Sequence, residues 1–176
     1  MNRLLTLICC FSLCSIPGLA QKRSSKTVMS DQQFVSFAGQ TDMVDANLAQ
    51  LARTAAPSRP VKDYAQKLVT DQTSDFQTLS KVAHQSSFNL PSAIDQEHNR
   101  SVIAPFQKLR GADFDRHFVS EMVSGDIKAI DIYQKEAADA RTPALKSYAE
   151  QAIPILQANL ADAKKLEAAK APAPKG

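Results

Sequence analysis

Residues 58–88 read SRPVKDYAQKLVTDQTSDFQTLSKVAHQSSF, and this stretch gives the clearest indication of the fold. Ser58 is a residue type that favours helix N-caps, and Pro60 suits the first turn of a helix. Apolar or small side chains then recur every three or four positions with one polar interruption; the stripe is Val61, Ala65, Leu68, Gln72, Phe76, Leu79 and Ala83. This spacing predicts a long amphipathic helix that ends around Phe88-Asn89.

The preceding segment shows the same periodicity. Ser30 begins it, and Gln33 follows three residues later as the partner of a capping box. The stripe is Phe34, Phe37, Thr41, Val44, Leu48 and Leu51. We predict that this first helix stops near Ala56-Pro57.

Two more amphipathic helices are predicted further along the chain. The third helix spans roughly Ala112–Ala140. The fourth has Thr142 as its N-cap and Pro143 at its first position. Pro154 lies inside the fourth helix, and we expect a kink there.

The second and third helices are separated by a long connection, residues 89–110, with a short helix predicted near Val102–Leu109 and closed by Gly111. Four amphipathic helices with two short connections and one long connection predict an all-α fold, a four-helix up-and-down bundle. A helical solenoid would require an internal repeat, and the sequence has none.

The first twenty residues have the features of a secretory signal peptide. Arg3 supplies a positive start, and Leu4–Ile16 is an apolar run shorter than the roughly 20 residues of a membrane span. Small residues in Gly18-Leu19-Ala20 match a cleavage site. We therefore predict cleavage after Ala20 and a periplasmic or secreted protein with no transmembrane segment after cleavage.

Cleavage would also remove all the cysteines, which are Cys9, Cys10 and Cys14. Neither Cys10 nor Cys14 follows a small residue, which argues against a lipid anchor. A mature chain without cysteine has no disulfide, thiolate metal site or cysteine nucleophile. We expect a flexible leader at residues 21–29, a helical domain at 30–167 and a disordered Ala/Pro/Lys-rich tail at 168–176.

Composition and motifs exclude several classes of protein. The chain is 44% hydrophobic with a net charge of +3, which indicates a globular protein that is too weakly basic for a nucleic-acid partner. Phosphate loops, nucleophile elbows, zinc-protease helices and dinucleotide fingerprints are absent from the sequence. Asp95 and His98 come nearest to the Glu-x-x-His pattern of diiron bundles, but a second copy is missing. Asp113 and His117 have helical spacing that is most often a surface pair.

One polar residue interrupts the stripe near the midpoint of each predicted helix; these are Asp45, Gln72, Asp126 and Asn159. In an up-and-down bundle the midpoints of helices of similar length lie at one level. We therefore expect the four side chains to meet in one polar layer, which we call the central layer. Their oxygen atoms suit a hard divalent cation such as calcium or magnesium better than zinc or copper.

Three interpretations of the central layer are open on sequence grounds. A hydrogen-bonded polar layer can fix the register of the helices. A helix phase misassigned by one residue would instead leave Asp45 or Asp126 near solvent. A metal or small-ligand site would compensate the two carboxylates, whose burial without a positive charge costs roughly several kcal/mol each.

These helices also resemble a known bacterial family. The resemblance is carried by FVSFA at residues 34–38, VKDYAQKLVTD at 61–71, Leu90-Pro91, LRGADFDR at 109–116 with Phe118 and Met122-Val123 after it, and AIPIL at 152–156. On these residues the chain is similar to the secreted, ferritin-like domain-of-unknown-function family 4142, over about Ser30–Leu166.

The resemblance implies a ferritin-like bundle, export and no established activity. It also implies ligand positions, because the family typically has a Glu on the first helix and a His on each of the other three. Those positions are Asp45, Gln72, Asp126 and Asn159 here. The three His are replaced and the Glu is shortened to Asp, so this chain resembles a divergent member without the imidazoles of a transition-metal site.

Together these features predict an exported, non-catalytic helical-bundle protein that binds a protein partner, a ligand or another component of the cell envelope. No cofactor is required by this hypothesis. The alternative hypothesis is a metal-binding ferritin-like protein that holds a divalent metal ion in the central layer, at Asp45, Gln72, Asp126 and Asn159.

Overall fold

The computed structural model describes residues 29–170, and every regular element within them is helical. Four long helices account for most of this part of the chain: α1 (Asp31–Ala55), α2 (Arg59–Gln85), α3 (Gly111–Asp139) and α4 (Pro143–Lys170). The predicted all-α class is confirmed. In residues 29–170, none of the helices combines the length and the apolar character needed to cross a membrane. The predicted signal peptide at residues 1–20, residues 21–28 of the predicted leader and residues 171–176 of the predicted tail lie outside the described residues.

The start of α1 follows the predicted capping box. The backbone N–H of Ser30 donates to Gln33 Oε1 at 2.9 Å, and the N–H of Gln33 donates to Ser30 Oγ at 3.3 Å. Asp31, which follows Ser30, accepts a 2.6 Å hydrogen bond from the hydroxyl of Thr142 and a 2.9 Å hydrogen bond from the backbone N–H of Thr142. The first turn of α1 is therefore bonded directly to the residue that precedes α4.

The ends of α2 differ from the sequence prediction. Ser58 occupies the N-cap position, but its hydroxyl makes no capping hydrogen bond. The helix ends at Gln85 rather than at Phe88-Asn89, because Ser87 has a φ of +60° and turns the chain away. The N–H of Phe88 then bonds to the carbonyl of Ala83 at 2.9 Å, which satisfies a carbonyl at the helix end.

The connection between α2 and α3 contains consecutive short helical turns; they are Gln96–His98, the π-helical Asn99–Ile103 and Ala104–Phe106. These turns begin before the predicted short helix at Val102–Leu109, overlap its first half and end at Phe106. Gly111 does not close that helix. With a φ of +59° it forms the first residue of α3 instead.

The apolar core has two halves with a polar zone between them. One half includes Leu48, Leu68, Phe118 and Ala163, and the other includes Phe34, Leu79, Tyr133 and Leu145. We call them the first and second core clusters. All four long helices contribute to both, so each helix crosses the polar zone near its middle.

The order of the clusters along each helix shows its direction. Helices α2 and α3 both run from the first core cluster to the second, whereas α1 and α4 run from the second to the first. The strict up-and-down order predicted from the sequence is therefore wrong. The connection at residues 86–110 is long enough to return along the molecule, where Gln32 and Gln40 of α1 bond to its backbone. Helix α1 packs mainly against α2, and α3 packs mainly against α4.

Helix α4 begins at the predicted residue and extends further at its end than predicted. Pro143 begins the helix and Pro154 lies inside it, as predicted. The helix continues through residues 168–170, which the sequence had placed in the disordered tail.

Candidate functional site

The predicted central layer lies in the polar zone between the two core clusters. Asn159 is completely buried, Gln72 and Asp126 are nearly so, and Asp45 is half-buried. Gln72 and Asn159 line one small cavity between α2 and α4. Asp45 and Asp126 lie close enough across α1 and α3 for the charge of Asp126 to act on Asp45. The structure thus brings the four predicted residues to one region of the interior.

The two carboxyls of the central layer are poorly solvated. Burial is the main cause that raises the pKa of Asp126 to about 7, and the nearby ammonium of Lys67 opposes this shift. Burial also raises the pKa of Asp45 well above its usual range, with smaller contributions from the charges of Asp126 and Glu121. Among the described residues, no hydrogen-bond donor reaches the buried Oδ2 of Asp126.

Lys67 provides the basic group of the central layer. Its ammonium donates to Oδ1 of Asn159, and it forms ion pairs with Asp71 at 3.2 Å and Asp162 at 3.6 Å. The hydroxyl of Tyr64 donates to the backbone oxygen of Asn159 at 3.3 Å. The amide oxygen of Asn159 therefore already accepts a hydrogen bond from Lys67. The other three predicted metal ligands, Asp45, Gln72 and Asp126, have oxygens that do not bond to Lys67.

A second polar layer lies beside the central layer, and the sequence analysis missed it. Asp42 of α1, Asp75 of α2, Tyr133 of α3 and Tyr148 of α4 form it, and we call it the tyrosine–carboxyl layer. The hydroxyl of Tyr148 donates to Oδ2 of Asp75 at 2.7 Å, and the hydroxyls of Tyr133 and Tyr148 lie 3.2 Å apart. Every long helix contributes one residue to this layer.

The carboxyls of the tyrosine–carboxyl layer share a strongly desolvated site. Burial raises the pKa of Asp42 well above its usual range, and the neighbouring carboxylates of Asp75 and Asp45 raise it further. Burial also raises the pKa of Asp75, while hydrogen bonds from Tyr148, Asp42 and Tyr133 partly oppose the shift. Asp42 therefore retains its proton most strongly, and Asp75 is the better acceptor of the pair.

Only a weak signal for this second layer is present in the sequence. Asp42 lies three residues before Asp45, and Asp75 lies three residues after Gln72, so each lies one turn from a central-layer residue. Asp75 does not form a solvated acidic face with Asp71, because the carboxyl of Asp75 turns toward Asp42 and Tyr148. The rings of Tyr133 and Tyr148 pack in the second core cluster, so helical periodicity alone indicates an apolar role for both residues.

A groove between α2 and α4 borders residues of both layers. A cavity of about 150 Å³ is lined by Asp75 and Tyr148 together with the hydroxyl-bearing residues Ser74 and Thr78. The smaller cavity beside it is lined by Gln72 and Asn159 and shares Asp75 with the first. Solvent species therefore reach Asp75 and Tyr148 at one edge of the tyrosine–carboxyl layer.

The candidate histidine sites are exposed and locally bonded. Asp95 caps the first turn of the connection by accepting from the N–H of His98 at 2.8 Å, and it also contacts the ring at 2.9 Å. The ring of His117 lies 2.8 Å from the backbone oxygen of Asp113, whose carboxylate bonds to Arg116. These contacts agree with a surface role for both histidines.

The residue types and positions in the two layers limit which metal ion they can hold. Within residues 29–170, no three His, Cys, Asp or Glu side chains are arranged as a metal site. The central layer offers two carboxyls and the amide oxygen of Gln72. This donor set fits a hard cation held partly by water, and it does not fit copper or zinc, which prefer imidazole or sulfur.

Comparison with known proteins agrees with the helical fold. A model of a domain of unknown function, DUF4142, matches residues 17–166. Among solved structures, CopM in its Cu(II)-bound form is 16% identical, has a TM-score of 0.67, and covers 80% of this chain and 97% of its own. CopM in its Ag-bound form obtained by co-crystallization is 16% identical, with a TM-score of 0.62 and coverage of 81% and 98%.

A DUF305 fragment from Deinococcus radiodurans is similar to the same extent. It is 16% identical, has a TM-score of 0.68, and covers 78% of this chain and 95% of its own. No curated protein sequence matches the chain. At these identities the likeness to the solved structures concerns the fold.

Proposed function

The chain belongs to the DUF4142 family of domains of unknown function, and on this premise we propose that it is an exported, non-catalytic protein that binds a hard divalent cation in its central layer. The observation that carries the proposal is the pair of carboxyls of Asp45 and Asp126, which meet in the polar zone with a buried oxygen that receives no hydrogen bond. A bound cation would neutralise two charges whose burial is otherwise costly.

The residues present supply a partial coordination shell. Asp45 and Asp126 would contribute carboxylate oxygens, and Gln72 would contribute its amide oxygen. Asn159 orients Lys67 through its own oxygen, so its role is to position the ammonium near Asp126. Lys67 and a cation would therefore compete for the same negative charge, and we expect the affinity to be moderate.

Two further parts of the proposal concern the fold and the location. The parallel course of α2 and α3 and the single long connection support a ferritin-like four-helix bundle, a class with one crossover. The apolar run and the small residues before Gln21 support cleavage and export to the periplasm or the medium. The helical domain then spans residues 30–170. Mass analysis of the exported protein tests the cleavage site.

The CopM structures support metal binding in this fold without indicating the ion for this chain. Those proteins were solved with copper and silver. The four central-layer residues here carry neither imidazole nor sulfur, so calcium, magnesium or manganese fits their chemistry better.

Metal content and thermal stability test the proposal. Protein secreted by the cell and purified without chelator is analysed for metal, and its Tm is followed with calcium, magnesium, manganese and copper. We expect the central layer to hold one hard cation that raises Tm, and we expect Asp126→Asn to remove that one equivalent of metal and its contribution to Tm. Asp113→Asn, a change of the same kind at an exposed site, is the matched control. Metal-free protein whose Tm is indifferent to every hard cation would refute the proposal.

A further inference from the structure

The tyrosine–carboxyl layer contains a buried carboxyl with one oxygen that accepts no hydrogen bond. Asp42 is only 2% exposed, and among the described residues no N–H or O–H group donates to its Oδ2. The polar group that it meets is the carboxyl of Asp75. We propose that Asp42, Asp75 and Tyr148 form a second binding site, distinct from the central layer, for a hard divalent cation that enters through the α2–α4 groove.

The need for a positive charge between the two carboxyls follows from electrostatics. Two carboxylates in contact in a desolvated interior cannot both ionise unless a proton or a cation lies between them. Within the described residues, no lysine, arginine or histidine forms an ion pair with Asp42 or Asp75. The site therefore holds one shared proton, which a cation of higher charge can replace.

The charged and titratable groups around the pair favour that replacement. Asp45 of α1 adds negative charge to Asp42, and the hydroxyls of Tyr133 and Tyr148 approach from α3 and α4. Burial keeps the pKa of both tyrosines well above its usual range, so they remain neutral hydroxyls. The set presents carboxylate and hydroxyl oxygens alone, which is the chemistry that calcium and similar ions prefer.

The groove between α2 and α4 gives an ion from solvent direct access to the tyrosine–carboxyl layer, whereas it reaches the central layer only in part. Asp75 and Tyr148 form part of its wall, next to Ser74 and Thr78, so an ion from solvent meets Asp75 first. Tyr148 donates to Asp75 at 2.7 Å. When Asp75 binds the ion, this bond holds the other carboxylate oxygen in place. Loading releases the shared proton to water, so binding tightens as pH rises.

Terbium luminescence tests this site directly, because Tb³⁺ replaces calcium and is sensitised by nearby tyrosine. The chain has three tyrosines and no tryptophan, so the emission reports proximity to Tyr64, Tyr133 or Tyr148. We expect the full exported protein to bind Tb³⁺ with sensitised emission that calcium displaces. Affinity should increase from pH 5 to pH 8 as the proton is released.

The variants separate this site from the central layer. Asp75→Asn and Asp42→Asn, on different helices, should each weaken Tb³⁺ binding at this site about tenfold or more. The exposed change Asp113→Asn should leave this binding unchanged, and Asp126→Asn should remove only the ion of the central layer. Using both variants guards against misfolding of one, and circular dichroism reports whether each is helical. The proposal fails if both folded variants bind Tb³⁺ like the parent. It also fails if Asp126→Asn alone abolishes emission, which would assign the ion to the central layer, or if the parent protein gives no emission.

Discussion

Tyr148 of α4 donates a 2.7 Å hydrogen bond to Oδ2 of Asp75 on α2 and so joins two helices whose mutual packing is thinner than that of the α1–α2 and α3–α4 pairs. The same hydroxyl lies 3.2 Å from that of Tyr133. This polar contact links the two helix pairs at an interface that is thinner than the interface within each pair. The tyrosine–carboxyl layer is therefore part of the structural interior as well as a candidate site.

Replacing Tyr148 by Phe should destabilise the protein by about 1–3 kcal/mol, since a hydrogen bond to a carboxyl is lost in a buried setting. Loss of the donor also raises the pKa of Asp75 further, because the hydrogen bond from Tyr148 lowers it now. Urea unfolding followed by circular dichroism gives the change. Tyr64→Phe is the matched control, because its hydroxyl makes a longer bond of 3.3 Å to a backbone oxygen. Equal effects of the two variants would contradict this account.

Stability should decrease as pH rises in chelated buffer. An aspartate with a raised pKa in the folded state stays protonated where the unfolded chain has lost its proton, so the folded state binds more protons in that range. The free energy of unfolding therefore falls from about pH 4 upward, and for Asp126 the fall continues to its folded-state pKa of about 7. The buried Glu136, whose pKa burial raises to about 7, adds to the same trend. The fall in the free energy of unfolding that Asp126 alone causes is on the order of 4 kcal/mol.

Thermal unfolding at a series of pH values, with and without Asp126→Asn, checks this expectation. The variant cannot ionise at this position, so its stability should depend less on pH than that of the parent. A parent protein that becomes more stable between pH 5 and pH 7.5 would contradict the proposed burial of these carboxyls. Asp113→Asn should leave the slope unchanged, since this carboxyl is exposed.

The central layer was predictable because each stripe contains one polar residue near its middle, and periodicity alone places such residues inward. The burial of Asp42 was not predictable from the sequence. Asp42 lies next to Thr41, and the face of α1 around it is built from small residues such as Ala38 and Gly39. Because small residues are compatible with either environment, the sequence pattern does not show which side of this helix faces the interior. The direction of α3 could not be predicted from periodicity either. A long connection allows α3 to run antiparallel to α2 or, by crossing back along the molecule, parallel to it. The partners of the tyrosine hydroxyls depend on tertiary packing.

Asp31→Ala should destabilise the protein by roughly 1–3 kcal/mol, because Asp31 accepts three hydrogen bonds from residues that precede α4. Burial alone raises the pKa of Asp31, but the bonds from Thr142 and Arg141 outweigh it and lower the pKa below its usual value. The contribution of Asp31 is thus complete at neutral pH and is lost as pH falls through that lowered value. Urea unfolding at pH 7 and pH 3 measures both effects. The exposed change Asp63→Ala is the control, and an Asp31 effect that grows on acidification would contradict the assignment.

Lys67→Met should destabilise the protein at pH 8 and much less at pH 5. The ammonium of Lys67 bonds to Asn159 and lowers the pKa of Asp126, so without it the ionised form of Asp126 has no nearby positive charge. At pH 5 Asp126 is protonated in both proteins, and only the bond to Asn159 and the ion pairs with Asp71 and Asp162 are lost. We expect a cost of about 1 kcal/mol at the higher pH, because the side chain of Lys67 is 42% exposed and solvent screens its charge. Lys81→Met, on the exposed face of the same helix, controls for the loss of a charge.

Because Lys67 and a cation compete for Asp126, added calcium should also restore more of the stability lost at pH 8 in Lys67→Met than it adds to the parent. A cost that is equal at both pH values, with no response to calcium, would show that Lys67 acts only through its surface ion pairs.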